Sequence, residues 1–121
     1  VAIANPDLAP YGVAAVETLD HLGATDVVAP KLVTGENIGQ AYSMVATGAA
    51  DVGFVATSSV ISGDRTGAGW PVPADHHAPI RQAAILLQHG KDNAAARDFL
   101  AYLASDAAQA KMAAFGYGPG E

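Results

Sequence analysis

The chain has 121 residues, of which 50% are hydrophobic and 15% charged, a balance that excludes wholesale disorder and suffices for one domain with its own core. Six Lys and Arg stand against twelve Asp and Glu, a net charge of -6, and the basic residues Lys31, Arg65, Arg81, Lys91, Arg97 and Lys111 are too scattered to follow a phosphate backbone, so nucleic acid is disfavoured as a partner. The absence of cysteine removes disulfides, Cys-zinc sites and thiol nucleophiles, and no apolar run approaches the ~20 residues that span a bilayer.

Val1–Ala4 reads as a short apolar strand closed by Asn5-Pro6. It has no basic leader before it, so no signal peptide is expected in the chain, and a start on an apolar strand suggests entry in mid-fold. Two prolines between Asn5 and Pro10 favour extended or turn backbone, and a helix begins at Pro10-Tyr11-Gly12. Its apolar face is predicted as Val13, Val16, Leu19 and Leu22, with Gly23 as the stop. Lys31–Thr34 reads as a second strand. Asn37 is a plausible N-cap for a helix from Ile38 to Ala46, stopped at Gly48.

Asp51–Ala56 is the clearest buried strand by composition, with β-branched and aromatic residues bounded by turn residues. Thr57-Ser58-Ser59 caps a short helical piece through Ile61, and Ser62–Pro79 is a long irregular loop with a brief extended piece near Trp70–Pro73. Ile80–Leu87 is a further strand candidate. A turn over His89–Asp92 leads into a helix whose apolar face is Ala96, Phe99, Leu100 and Leu103. Ser105 caps a last helix, Asp106–Ala114, packed through Ala110, Met112 or Ala113 and closed near Phe115-Gly116, with a frayed tail over Gly118-Pro119-Gly120. Repeated strand–helix alternation predicts an α/β fold with a largely parallel sheet.

Enzyme motifs are weak. His76 and His77 are adjacent on a loop and point apart, so they read as solvated histidines and not as joint ligands of a metal; no direct side-chain metal site is expected. No Ser lies in a G-x-S-x-G elbow, and Thr34–Gly39 matches neither a P-loop nor a dinucleotide fingerprint. A hydrolase or transferase on an α/β scaffold therefore stays a runner-up, as does a structural or sensory lobe without ligand. Two loop-to-helix junctions, Ala9–Gly12 and Glu36–Gly39, each follow a strand candidate. In a parallel sheet both fall at the carboxyl edge, where first-turn N–H groups form an anion site without Arg or Lys.

The segment Asn5-Pro6-Asp7-Leu8-Ala9-Pro10-Tyr11-Gly12 resembles the N/D-P-x-x-x-P-x-G crossover of periplasmic molybdate-binding proteins, the solute-binding components of molybdate ABC transporters, in the subgroup with Tyr in that loop. Glu36–Ala41, Gly48–Val55 and Ala95–Gly116 resemble further family stretches in the same order. The resemblance implies a type II periplasmic-binding-protein-like α/β fold, of which this chain supplies one lobe and the C-terminal return segment. Residues 1–78 would form the second lobe, and residues 79–121 the return crossing and helices that pack on the first lobe.

The resemblance also implies a binding protein and not an enzyme. It binds a tetrahedral oxyanion, molybdate or tungstate, without other cofactor and hands it to ABC transporter membrane subunits from the bacterial periplasm. Carried over, Tyr11 supplies its backbone N–H, with its hydroxyl as a second candidate donor, and Ile38 supplies its backbone N–H. Some members use a Tyr hydroxyl where this chain has Ala56, and the first-lobe Ser/Thr donors have no counterpart here. Apolar faces meant for a first lobe predict a homo-oligomer through an exposed or exchanged C-terminal segment.

Overall fold

A computed structural model describes residues 1–63 and 68–118, so residues 64–67 of the predicted loop and 119–121 of the predicted tail lie outside the described residues. The chain divides into two units, Val1–Ile80 and Arg81–Glu121.

In the first unit, β1 (Ala2–Ala4) pairs in parallel with β2 (Val33–Gly35), in the register Ala2↔Val33, Ile3↔Thr34 and Ala4↔Gly35. On its other edge β1 meets Gly53 in an isolated parallel bridge: the Ala2 N–H donates to the Val52 carbonyl at 2.8 Å, and the Phe54 N–H donates to the Ala2 carbonyl at 2.9 Å. The strand predicted over Asp51–Ala56 is thus reduced to one bridge, and Val52 is largely exposed. A strand needs successive ladder pairs, and on this edge β1 pairs only through Ala2. β2 begins later than Lys31–Thr34 suggested, because Ala29–Lys31 forms a single 3-10 turn around Pro30, whose ring locks φ.

Helix α1 (Pro10–His21) starts and stops as predicted, with Pro10 in its first turn and Gly23 at φ +63° beyond its end. Its buried face differs from the prediction. Gly12, Ala14, Ala15, Thr18 and Leu19 are buried, whereas Val13 and Leu22 are exposed. The reason is close approach to β1: a Cβ on Gly12 would lie 2.3 Å from the Ala4 carbonyl oxygen and 2.6 Å from the Pro6 nitrogen. Nothing larger than glycine fits at Gly12, and the small Ala14 and Ala15 follow it on the buried face, which continues to Thr18 and Leu19. Thr18 is buried with its Oγ1 donating to the Ala14 carbonyl at 2.7 Å, which satisfies the hydroxyl inside the helix.

A one-turn helix α2 (Thr25–Val28) precedes β2. Helix α3 (Ile38–Ala46) has the predicted limits, with Asn37 as its cap and Gly48 at φ +78° two residues past its end. It packs on both β1 and β2, while α1 packs on β1. Helix α4 (Thr57–Ser62) is capped by Ala56 without a side-chain bond, so Thr57 lies inside the helix and not at its cap. Between Gly63 and Pro79 the described residues form neither helix nor strand, Trp70–Pro73 included.

The second unit holds a 3-10 turn at Gln88–Gly90, α5 (Ala94–Leu103) and α6 (Asp106–Ala114). Asn93 and Ser105 cap the two helices by accepting from the N–H groups of Ala96 at 3.2 Å and Ala108 at 3.3 Å. The strand predicted over Ile80–Leu87 is absent: none of these residues joins a ladder, and Ile85 is 81% exposed. An apolar run becomes a strand only beside an edge that takes its hydrogen bonds, and none of Ile80–Leu87 is paired in that way. α6 buries Ala108, with Met112 half-buried, while Ala110 and Ala113 face solvent.

Candidate functional site

The parallel register places Ala4 beside Gly35, so β1 and β2 end together, and the Asn5 N–H donates to the Gly35 carbonyl at 2.7 Å. Each strand then feeds a helix, α1 beginning five residues beyond Asn5 and α3 three residues beyond Gly35. The two predicted junctions therefore leave one sheet edge, the carboxyl end where α/β proteins hold ligands.

The first junction is a compact turn. Asn5 accepts three N–H groups, from Asp7 on its side chain at 2.9 Å and from Leu8 and Ala9 on its carbonyl at 3.1 and 2.9 Å. Pro10 presets the first helical φ, and Gly12 lets the helix seat on the end of β1. Tyr11 is half-buried at the second helical position. The spacing of Asn, Pro and Gly in this segment thus has a mechanical account, in which it aims the first turn of α1 from the end of β1.

The second junction uses side chains. The Asn37 Oδ1 accepts the Gln40 N–H at 3.0 Å, and the Gln40 Oε1 accepts the Glu36 N–H at 2.8 Å. This is a reciprocal cap in the manner of a capping box. Sequence reasoning missed Gln40, although Asn-x-x-Gln before an apolar helix is the signal that marks it. Ile38 is the first helical residue and half-buried; among the described residues its N–H finds no acceptor. Both junctions carry the positive partial charge of a helix start, and the only basic residue in the first sixty is Lys31. Ala56, the position of the alternative Tyr, is buried and supplies no side-chain donor.

The histidines behave differently from the solvated pair expected. His76 is half-buried and stacks on His21 of α1, with ring centroids 4.1 Å apart, while the His77 Nδ1 lies 2.8 Å from the Ala78 carbonyl oxygen. Among the described residues no group of three or more His, Asp or Glu could hold a metal ion, and no helix is long and apolar enough to cross a membrane.

Residues 1–118 match the family model described as bacterial extracellular solute-binding protein. The chain belongs to that family. The molybdate-binding protein ModA of Azotobacter vinelandii is 48% identical over 120 residues, which are 98% of this chain and 48% of the relative. The ModA of Rhodobacter capsulatus is 49% identical over 117 residues, 97% of this chain and 46% of the relative. The solved Azotobacter vinelandii periplasmic molybdate-binding protein superposes with a TM-score of 0.88 at 36% identity, covering 99% of this chain and 54% of that one. The chain thus has the α/β periplasmic-binding-protein fold and spans about half the length of the curated relatives it matches. The resemblance read from four short motifs extends over the whole chain, and these relatives are named for binding and not for catalysis.

Proposed function

We propose that this chain forms one side of a binding site for a tetrahedral oxyanion, molybdate or tungstate, within a bacterial periplasmic solute-binding protein that delivers its ligand to ABC transporter membrane subunits. The backbone N–H groups of Tyr11 and Ile38 are the donors, and no further cofactor takes part. Residues 1–78 act as the second lobe and residues 79–121 as the return crossing with its helices.

The observation that carries the reading is the shared edge. The register pairing Ala4 with Gly35 starts α1 and α3 from neighbouring strand ends, at the two segments that resemble the molybdate-binding family. Neutral donors suit a protein of net charge -6. N–H dipoles act at hydrogen-bond range in a cleft with little water, whereas the surface charges are distant and screened. Backbone donors at fixed positions also select by size, which favours the larger molybdate and tungstate over sulfate. The hydrolase or transferase alternative lacks a motif, and the names of the relatives favour binding.

The test separates backbone from side chain at Ile38, by titration calorimetry with molybdate on a protein of the relatives' full length that carries this chain. Proline is tolerated at the first helical position, so Ile38→Pro removes the N–H with little cost to α3. Loss of a hydrogen bond to a charged group is expected to weaken binding about 10-fold or more. Ile38→Ala keeps the donor and is expected to bind as the parent does. Equal affinities for the two variants would remove Ile38 from the site, and an unchanged affinity in Tyr11→Phe would limit Tyr11 to its N–H.

A further inference from the structure

The start of α3 is closed by amides alone. The Asn37 Oδ1 accepts the Gln40 N–H at 3.0 Å, and the Gln40 Oε1 accepts the Glu36 N–H at 2.8 Å. The Ala41 N–H is taken by the Asn37 carbonyl at 3.2 Å. Among the described residues, the N–H groups of Ile38 and Gly39 have no acceptor. The cap thus decides which donors of the turn are occupied and which stay open. Gly39 is exposed, and a Cβ there would meet only the Asn37 Oδ1, at 3.2 Å.

We propose that Gln40 is a positioning residue of the oxyanion site. Its amide closes the first turn of α3 so that the Ile38 N–H, with that of Gly39 beside it, stays open to a dianion, and it does so without setting a carboxylate next to them. The proposal rests on the anion reading given above.

The choice of an amide needs a reason beyond stability. A capping box takes Glu as well as Gln at this position, and a carboxylate there would also gain from the positive end of the helix dipole. The chain is rich in acids, twelve against six bases, and places Asp26 and Asp106 in the first turns of α2 and α6. The first turn of α3 holds none. For the helix alone the amide is the weaker cap. For a bound dianion it is the better one, because a carboxylate within a turn of the donors opposes the ligand with a full charge and an amide does not. Glu36, the one carboxylate of the segment, is exposed and precedes the cap. Lys31, the only base in the first sixty residues, lies in the 3-10 turn at the other end of β2, so the segment has no cation at hand to offset a second acid.

The test is calorimetric titration with molybdate, at low salt and near 1 M salt, on a protein of the relatives' full length that carries this chain. Gln40→Glu keeps an oxygen for the Glu36 N–H, so its thermal midpoint without ligand is expected to equal or exceed the parent's. Its affinity is expected to fall about 10-fold at low salt and to return towards the parent's near 1 M, where the screening length is about 3 Å. A packing defect would not respond to salt in this way. Gln40→Met keeps the side-chain length but loses the acceptor, and its affinity is expected to fall about 5-fold at either salt concentration. Should Gln40→Met fail to fold, the salt dependence of Gln40→Glu decides. Parent-like binding by Gln40→Glu at low salt, or a loss that persists at high salt, would overturn the role given to its neutrality. Parent-like binding by Gln40→Met would overturn the positioning role. Ile38→Pro is measured alongside. If it binds weakly while both Gln40 variants bind as the parent does, this proposal alone fails. If it binds as Ile38→Ala does, or the parent binds no molybdate, the anion reading fails and takes this proposal with it.

Discussion

The two units show what a core adds to well-capped helices. In Val1–Ile80 the buried hydrophobic residues are Ala2, Ile3, Ala4, Ala14, Ala15, Leu19, Ala41, Ala50 and Ala56. Small side chains let α1 and α3 approach β1 closely, so each element is positioned by its neighbours. In Arg81–Glu121 the helices are capped equally well, by Asn93 and Ser105, and α5 packs on α6. Among its described residues, however, only Ala108 is a buried hydrophobic, and Ile85, Leu87, Phe99 and Tyr102 are exposed. Local signals suffice to form these helices. Burial, the larger part of folding energy, is concentrated in the first unit.

The strongest way to break this comparison is at Gly12. Gly12→Ala places a methyl against the Ala4 carbonyl and the Pro6 nitrogen, backbone atoms that cannot swing aside. Denaturant unfolding is expected to show a loss of about 3 kcal/mol, the upper part of the range for overpacking. A change near zero would mean that α1 does not seat on β1 as described.

The caps give a smaller and more discriminating effect. Asn37→Ala and Asn93→Ala each remove one cap and are expected to cost about 1 kcal/mol. In the first unit the loss should appear in cooperative unfolding, because α3 is part of the core. In the second it should appear as local hydrogen exchange in α5. A cooperative loss of the same size from Asn93→Ala would erase the distinction between the units.

The smallest effect on stability is expected at Ile85, which is 81% exposed. Ile85→Lys should change stability by no more than about 0.5 kcal/mol. It should also reduce the self-association we propose for the apolar surface of the second unit, as measured by sedimentation. A parent chain that sediments as a monomer at all concentrations would end the proposal of a homo-oligomer.

Much of the first unit was legible because its signals are local. Pro10, Gly23, Asn37 and Gly48 set the limits of α1 and α3 through φ, capping and left-handed backbone, all of which act within a few residues. The two helix starts that hold Tyr11 and Ile38 were legible for the same reason, since a helix start is written in its flanking residues, whereas the choice of these two residues as donors comes from the family resemblance. The strands over Asp51–Ala56 and Ile80–Leu87 were over-read. Composition reports a preference for extended backbone, but not the partner edge that turns it into a ladder. The histidine cluster was missed because His21 and His76 are 55 positions apart and nothing local links them.

By itself the sequence determined where α1, α3 and α6 begin and end, the family the chain belongs to, and which two helix starts are candidates for an anion. Caps, prolines and glycines act over single turns, and motifs survive as ordered letters. Tertiary structure decided that β1 and β2 share one carboxyl edge, that α1 buries its small residues and exposes Val13 and Leu22, and that His76 stacks on His21. Those outcomes depend on how closely distant segments approach, a distance no local pattern encodes.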